Sequence, residues 1–358
     1  MQVLKVLSGT SRNSAVDIFR GIAIIVVVLF HYNHLLPFGY LGVDLFFVIS
    51  GLLVGGLITR EFRRNGTVHY LGFVLQRGFK IWPSYYAFLF LGSLLVRQMY
   101  SHSHSDQIIP FHDIYRYAFF YQNYTGLPAH WSFDHVWSLC VEEHFYLMLP
   151  VYFLLIRYLV PAQYRNASLY GMVGVTILAG FGFKIFSLYF TNGQDTYSAT
   201  HNRIDALAWG VLLNLLLTDY GDYLKSASFR KWLFPVGLAV LFLAIGWHVQ
   251  AGSVFYRKVV FHSIIPFSFF LMIAGVYFRD FSSWYPVRFV AYFSYNWYLW
   301  HPMFVFFITD RLGVTVGGTL TFLVVSFIAA VLATVIIEER FLKWRPAVMK
   351  RLFPSLKK

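Results

Sequence analysis

Ten apolar runs, most of them long enough to cross a bilayer, follow one another through this 358-residue chain. Few folds tolerate that pattern. A segment buried in hydrocarbon must satisfy its own backbone N–H and C=O groups, so it becomes a helix or a strand of a closed barrel. A spanning helix takes about 20 residues and a barrel strand about 10. The runs are Ile18–Leu36, Leu41–Thr59, Ile81–Arg97, Val136–Tyr158, Leu169–Phe190, Ile204–Leu217, Trp232–Val249, Val259–Phe278, Phe289–Thr309 and Leu320–Ile337. The sixth is short, and the second carries Gly51, Gly55 and Gly56, poor helix formers. The expected fold class is an all-α polytopic membrane protein with about ten transmembrane helices. Composition agrees: 58% of residues are hydrophobic and 13% charged, against roughly 25% charged in soluble domains. Little length remains for a soluble catalytic domain. The single cysteine, Cys140, excludes an internal disulfide framework and a Cys-rich metal site.

Charge placement gives an orientation. With the N-terminus inside, 22 of the 29 Lys and Arg residues fall on the cytoplasmic side and 7 outside. The positive-inside rule reads this as cytoplasmic N- and C-termini. It also explains the net charge of +13 without a nucleic-acid partner. The expected organisation is a transmembrane domain over residues 1–342 and a basic cytoplasmic tail over 343–358, resting on the anionic inner leaflet. The first apolar run exceeds the 7–15 residues or so of a signal h-region, and no small-residue cleavage site follows it. The longest polar stretch, Gln98–Asp134, falls outside, and its His102, His104 and His112 read as solvated.

Ionisable residues inside spans are costly and mark functional sites by default. Arg20 opens the first span and His31 follows eleven residues later. Eleven residues turn a helix through about 1100°, some 20° from the same face, and rise roughly 16 Å. Arg20 is then at the inner boundary and His31 in the outer half. Asp44 opens the second span. His135, Glu142 and Tyr146 fall within about 20° of one face of the fourth, with Glu143 about 80° away. Arg203 and Asp205 open the sixth, and His301 lies in the ninth above Ser294. All reach similar depth, so they are expected to line one polar cavity in the outer half, with carboxylates supporting the imidazoles. Glu338 and Glu339, beside Arg340, read as an interfacial ion pair.

Six pieces of the chain, in order, carry a family resemblance: FRGIAIIVVVLFHY, GYLGVDLFFVISG, QRGFKIWPSYY, HVWSLCVEEHFYLMLP, NRIDALAWG and SYNWYLWHP. The sequence resembles the membrane-bound acyltransferase family 3, which O-acetylates bacterial surface polysaccharides and lipo-oligosaccharides. The resemblance runs from Asp17 to Pro302. Two positions depart from it: His144, where the family usually has Gln, and Lys80, where it often has Arg. It implies a cytosolic acyl-CoA donor, usually acetyl-CoA, and a glycan or lipid-linked saccharide acceptor at a bacterial inner membrane. Arg20 and His31 match the family's essential Arg-X10-His pair. Many relatives carry an extracytoplasmic hydrolase-like domain after the last span; this chain ends soon after it, which reads as a stand-alone acyltransferase.

The mechanism that fits these placements has Arg20, Arg77 and Lys80 taking the donor phosphates. His31 is the general base for the acceptor hydroxyl. Glu142, Glu143 or Asp44 orients its imidazole. His135, Arg203, Asp205 and His301 contact the acceptor or the oxyanion. Direct transfer is the simpler route; Ser50, Ser138 and Ser294 are the hydroxyls that could instead carry the acyl group. No metal is expected, since the helical His-Glu-X-X-His pattern is absent. The competing class is a proton-coupled transporter of a polar solute, against which stands the lack of a visible inverted repeat. The orientation is directly testable. A reporter active only in the cytoplasm, fused after Lys358, should be active, and the same reporter inserted at Gln107 should be silent; the opposite pattern would invert the topology.

Overall fold

The structure, a computed structural model, describes residues 13–100, 108–125, 130–191 and 197–353. The expectations made for His102, His104 and the end of the basic tail, 354–358, lie outside the described residues. Every regular element among those described is helical. Ten long helices account for the ten apolar runs: α1 Ser14–His31, α2 Gly42–Asn65, α3 Tyr70–Tyr100, α4 Trp137–Leu159, α5 Arg165–Phe190, α6 Ile204–Asp219, α7 Arg230–Gln250, α8 Phe261–Val276, α9 Tyr285–Trp300 and α10 Val316–Ala333. The protein is an all-α polytopic membrane protein, with eight helices among the described residues long and apolar enough to cross a bilayer. The two that fall short, α6 and α9, have 16 residues each, about 24 Å at 1.5 Å per residue; α8 qualifies because a π-helical turn lengthens it to Tyr256–Val276.

Helix ends differ from the apolar runs at two places that matter. The first run extends to Leu36, but α1 stops at His31. Asn33 and His34 take positive φ of 52° and 55°, a left-handed conformation that ends a right-handed helix. The ninth run extends to Thr309, but α9 stops at Trp300 and gives way to a 3₁₀ turn, His301–Phe304, and a short helix, Val305–Leu312. Pro302 explains the break: it has no N–H and disfavours helical backbone at the residue before it. Both histidines are thereby left at helix ends. At the other extreme, α10 continues through a π-helical turn, Thr334–Glu338, into Glu339–Leu352. The expected boundary at residue 342 falls inside that last helix.

The chain forms two compact units. One comprises Met1–Ala23, Leu41–Val68 and Ser138–Arg288; the other comprises Ile24–Tyr40, His69–Trp137 and Phe289–Lys358. In the first, the glycines that weaken α2 as a helix serve its packing. A Cβ at Gly51 would strike the Leu207 carbonyl of α6, one at Gly55 would press on Val211, and one at Gly210 would strike the Val48 carbonyl of α2. The two helices touch backbone to backbone, the small-residue mode of membrane helix packing. Gly237 and Gly275 do the same for α7 and α8, each meeting backbone of the other helix. The start of α1 is tied down by Asn13 Nδ2 donating to the Tyr277 carbonyl (2.9 Å) and Ser14 Oγ to Asp280 (3.1 Å).

In the second unit, hydroxyls and rings fasten the segments around His31. The Tyr32 ring stacks on Phe322 (4.5 Å between centroids), and its hydroxyl donates to the Gly313 carbonyl. Tyr100 donates to the Met303 carbonyl (2.7 Å) and accepts from the Phe307 N–H (2.9 Å). Trp297 Nε1 donates to Ser326 on α10 (2.9 Å). Replacing Gly51 or Gly210 by Leu should lower stability in detergent by at least about 1–3 kcal/mol, the range for overpacking. Gly171→Ala should be nearly silent, because a Cβ there meets nothing within 4 Å. Unchanged melting of the Leu variants would refute the close α2–α6 contact.

Candidate active site

Three histidines far apart in sequence meet in the second unit. His31 closes α1, His135 follows the short helix Trp131–Asp134, and His301 follows α9. Ring centroids are 4.9 Å apart for His31–His301, 5.7 Å for His135–His301 and 6.4 Å for His31–His135. Trp131 stands edge-on to His31 at 5.8 Å, and Phe88 and Tyr298 flank His135 at 5.7 and 5.1 Å. His301 is fully buried, His135 is buried and His31 is half-buried.

Hydrogen bonding fixes the proton positions by elimination. His301 Nδ1 lies 2.8 Å from the Trp297 carbonyl oxygen, which only accepts. A neutral His301 therefore carries its proton on Nδ1 and presents a lone pair at Nε2. That Nε2 is 3.0 Å from Nδ1 of His31, so His31 donates from Nδ1 and keeps its own lone pair on Nε2. The backbone of Val27, one turn back, also hydrogen-bonds the ring. His135 is anchored separately, its Nε2 3.2 Å from the Leu299 carbonyl, while Tyr298 donates to the His135 carbonyl (2.6 Å). The result is a half-buried imidazole oriented through a fully buried one, the arrangement a general base needs. The partner engaging His31 Nδ1 is an imidazole, where sequence reasoning expected a carboxylate.

The predicted carboxylates belong to the first unit and have partners of their own. Arg203 Nη2 donates to Asp44 at 2.5 Å, and Lys184 is ion-paired with Asp205; all four side chains are at most 2% exposed. Lys184 also donates to Ser263 of α8 (3.1 Å). Gly180, one turn before Lys184 on α5, makes room, since a Cβ there would sit 2.8 Å from Asp205 Cβ. The Arg203 guanidinium lies over Tyr197 (4.6 Å) and Phe47 (5.7 Å). Four charges buried together survive in an apolar bundle because they balance. On α4, Glu142 accepts a hydrogen bond from Tyr146 one turn on (2.7 Å). Glu143 is buried, and His144 Nδ1 lies 2.7 Å from the Thr200 hydroxyl.

Of the residues expected at the donor end, Arg20 and Arg77 are half-buried on α1 and α3. Lys80 is ion-paired with Glu338, whose other oxygen accepts from Asn296 Nδ2 (2.8 Å). Asn296 also reaches Thr334 (2.9 Å), and Tyr292 donates to Glu339 (2.7 Å). The π-helical turn supplies the reason: its extra residue turns two consecutive glutamates toward α9. Sequence reasoning read that pair as partners of Arg340. Lys184 falls among the seven charges that the orientation puts outside, although a lysine inside a 26-residue apolar helix is a readable signal. Among the described residues, no group of three or more His, Cys, Asp or Glu side chains is placed to hold a metal ion.

Comparison with known proteins follows the same lines. The family described as an acyltransferase domain matches residues 13–339. The O-acetyltransferase OatA of Staphylococcus aureus (strain NCTC 8325 / PS 47) is 28% identical over 323 residues, covering 81% of this chain and 50% of OatA. A protein of Staphylococcus aureus (strain COL), SACOL0978, is 28% identical over 331 residues, covering 82% of this chain and 50% of its own length. The chain thus spans about half the length of these relatives. No solved structure matches it. The buried ion pairs can be tested apart from any activity. Lys184→Met should cost roughly 3–5 kcal/mol by stranding a buried carboxylate. Lys184→Met combined with Asp205→Asn should regain most of that loss in a thermal melt; additive losses would show that the two do not pair.

Proposed function

Because the chain belongs to the acyltransferase family, we propose that it is an integral membrane O-acyltransferase. It moves an acyl group, acetyl being the expected one, from cytosolic acyl-CoA to a hydroxyl of a cell-surface or lipid-linked glycan. The protein sits in a bacterial inner membrane with both termini cytoplasmic. The observation that carries the reading is the His301–His31 hydrogen bond, which leaves a lone pair on His31 Nε2.

The chemistry follows from that atom. His31 Nε2 takes the proton of the acceptor hydroxyl as its oxygen attacks the acyl carbonyl carbon. The imidazolium that forms is stabilised through His31 Nδ1–H by the His301 ring, itself fixed by the Trp297 carbonyl. The neighbouring His135 is proposed to contact the acceptor, taking a hydrogen bond from one of its hydroxyls at Nδ1, since its Nε2–H is given to the Leu299 carbonyl. Arg20 and Arg77 are the cations proposed for the donor phosphates, since guanidinium forks suit phosphoryl oxygens. Lys80 joins them as one half of an ion pair with Glu338. Arg203 and Asp205, closed off in their buried pairs with Asp44 and Lys184, are assigned to holding the helices of the first unit in place.

The bland alternative is that the three histidines only bind helices together. Substitution separates the two. His31→Ala should reduce acyl transfer from acyl-CoA by about 10²–10⁴, the usual worth of a general base, while insertion and melting stay close to the parent. Arg20→Ala should raise the acyl-CoA requirement more than the acceptor requirement. Transfer at parental rate by His31→Ala protein would remove the base assignment.

A further inference from the structure

In the first unit a second chain of hydrogen bonds ends on a carboxylate, and the chemistry proposed for His31 does not use it. Ser50 of α2 is hydrogen-bonded to the Tyr146 hydroxyl of α4, and Tyr146 donates to Glu142 Oε2 at 2.7 Å. The directions along it are determined. Tyr146 has one hydroxyl proton and gives it to a carboxylate, which only accepts. Tyr146 oxygen must therefore accept from Ser50, and Ser50 directs its hydrogen at Tyr146. The proton of Ser50 thus has a path that ends at Glu142.

We infer that Ser50 is an acyl-carrying nucleophile, activated by Glu142 through the Tyr146 hydroxyl. The inference rests on the reading of the protein as an acyltransferase using an acyl thioester. In the step, Ser50 Oγ attacks the thioester carbonyl carbon; a C–O bond forms and the C–S bond breaks. The serine proton passes to Tyr146 oxygen while the tyrosine proton passes to Glu142. The donor leaves as thiolate and takes a proton from solvent, and Glu142 returns its proton when the ester is later cleaved by a hydroxyl. The step involves no redox change, and its one co-reactant is the thioester.

Four features single out Ser50 among the serines that could carry an acyl group. Ser138 and Ser294 are buried, at 4% and 0% exposure, while Ser50 is half-buried. Its activating partner comes from another helix, so relay and nucleophile are independently positioned. Glu142 and Tyr146 stand four residues apart on α4, the spacing at which helical side chains meet. The next residue, Gly51, packs α2 against the Leu207 backbone, which fixes the helix that presents Ser50. A purely structural role would have the same bonds tie α2 to α4 and nothing more.

The experiment uses the full chain in lipid nanodiscs, mixed with isotopically labelled acetyl-CoA without acceptor, quenched within a single turnover and digested. The expected result is one acetyl group on the peptide containing Ser50, absent in Ser50→Ala. Its appearance should be slowed about a hundredfold in Tyr146→Phe and Glu142→Gln, within the range for lost general-base assistance. Thermal melts within a few degrees of the parent would show that the variants fold, and Ser50→Cys should accumulate a thioester. Label on another residue, no label in protein that still transfers to acceptor, or parental transfer by Ser50→Ala would each overturn the inference and leave the acyltransferase reading standing. Failure of the parent protein to use acetyl-CoA or any longer acyl-CoA would overturn both.

Discussion

One backbone carbonyl sets the proton positions on which the proposed chemistry depends. Trp297 is among the last four residues of α9, whose carbonyls a helix end leaves without intrahelical partners. The ring of His301 satisfies it at 2.8 Å. Pro302 ends α9 at this point, so the residue before it turns its side chain back onto the helix it has just left. From there the direction of every hydrogen bond is forced, outward to His31. Nothing in the arrangement needs a carboxylate beside the imidazole. A neutral ring with a fixed acceptor nitrogen orients its neighbour without placing a formal charge in hydrocarbon.

Charge in the first unit is handled differently. Asp44, Lys184, Arg203 and Asp205 are all ionisable and nearly inaccessible. They come from α2, α5 and α6, and each cation has an acid. Such pairs contribute little net stability, but losing one member strands the other at high cost. They therefore make the helix arrangement specific: a register shift of one residue would separate them. The glycines of α2 and α6 work to the same end, since backbone contact leaves no slack for sliding.

Much of this was legible in the sequence because hydrocarbon is an unforgiving solvent. Apolar runs announced all ten helices, and ionisable residues inside them announced where buried polar side chains gather. Helical arithmetic placed His31 above Arg20, and the family motifs fixed on the same pair. What the sequence did not carry is who meets whom. Periodicity gives a residue its face and height on its own helix, and says nothing about the neighbour that fills the gap. That is why His301 was grouped with acceptor contacts and not seen as the partner of His31. It is also why Lys80 reads from the sequence as a cation for the donor phosphates, when Glu338 waits on the last span to pair with it. Helix ends were missed where single residues overrode hydropathy: Asn33 and His34 by left-handed backbone, Pro302 by its ring.

The chemistry proposed for His31 stands or falls on the protonation pattern of the histidine chain. Nitrogen-15 NMR of histidine-labelled protein in lipid, assigned by single His→Gln replacements, reads that pattern without reference to substrate. The predicted spectrum shows His31 neutral with Nδ1 protonated and Nε2 bare, and His301 likewise protonated on Nδ1. A proton on His31 Nε2 with Nδ1 bare would mean that the lone pair faces His301, and the base proposed here would have nothing left to accept a proton.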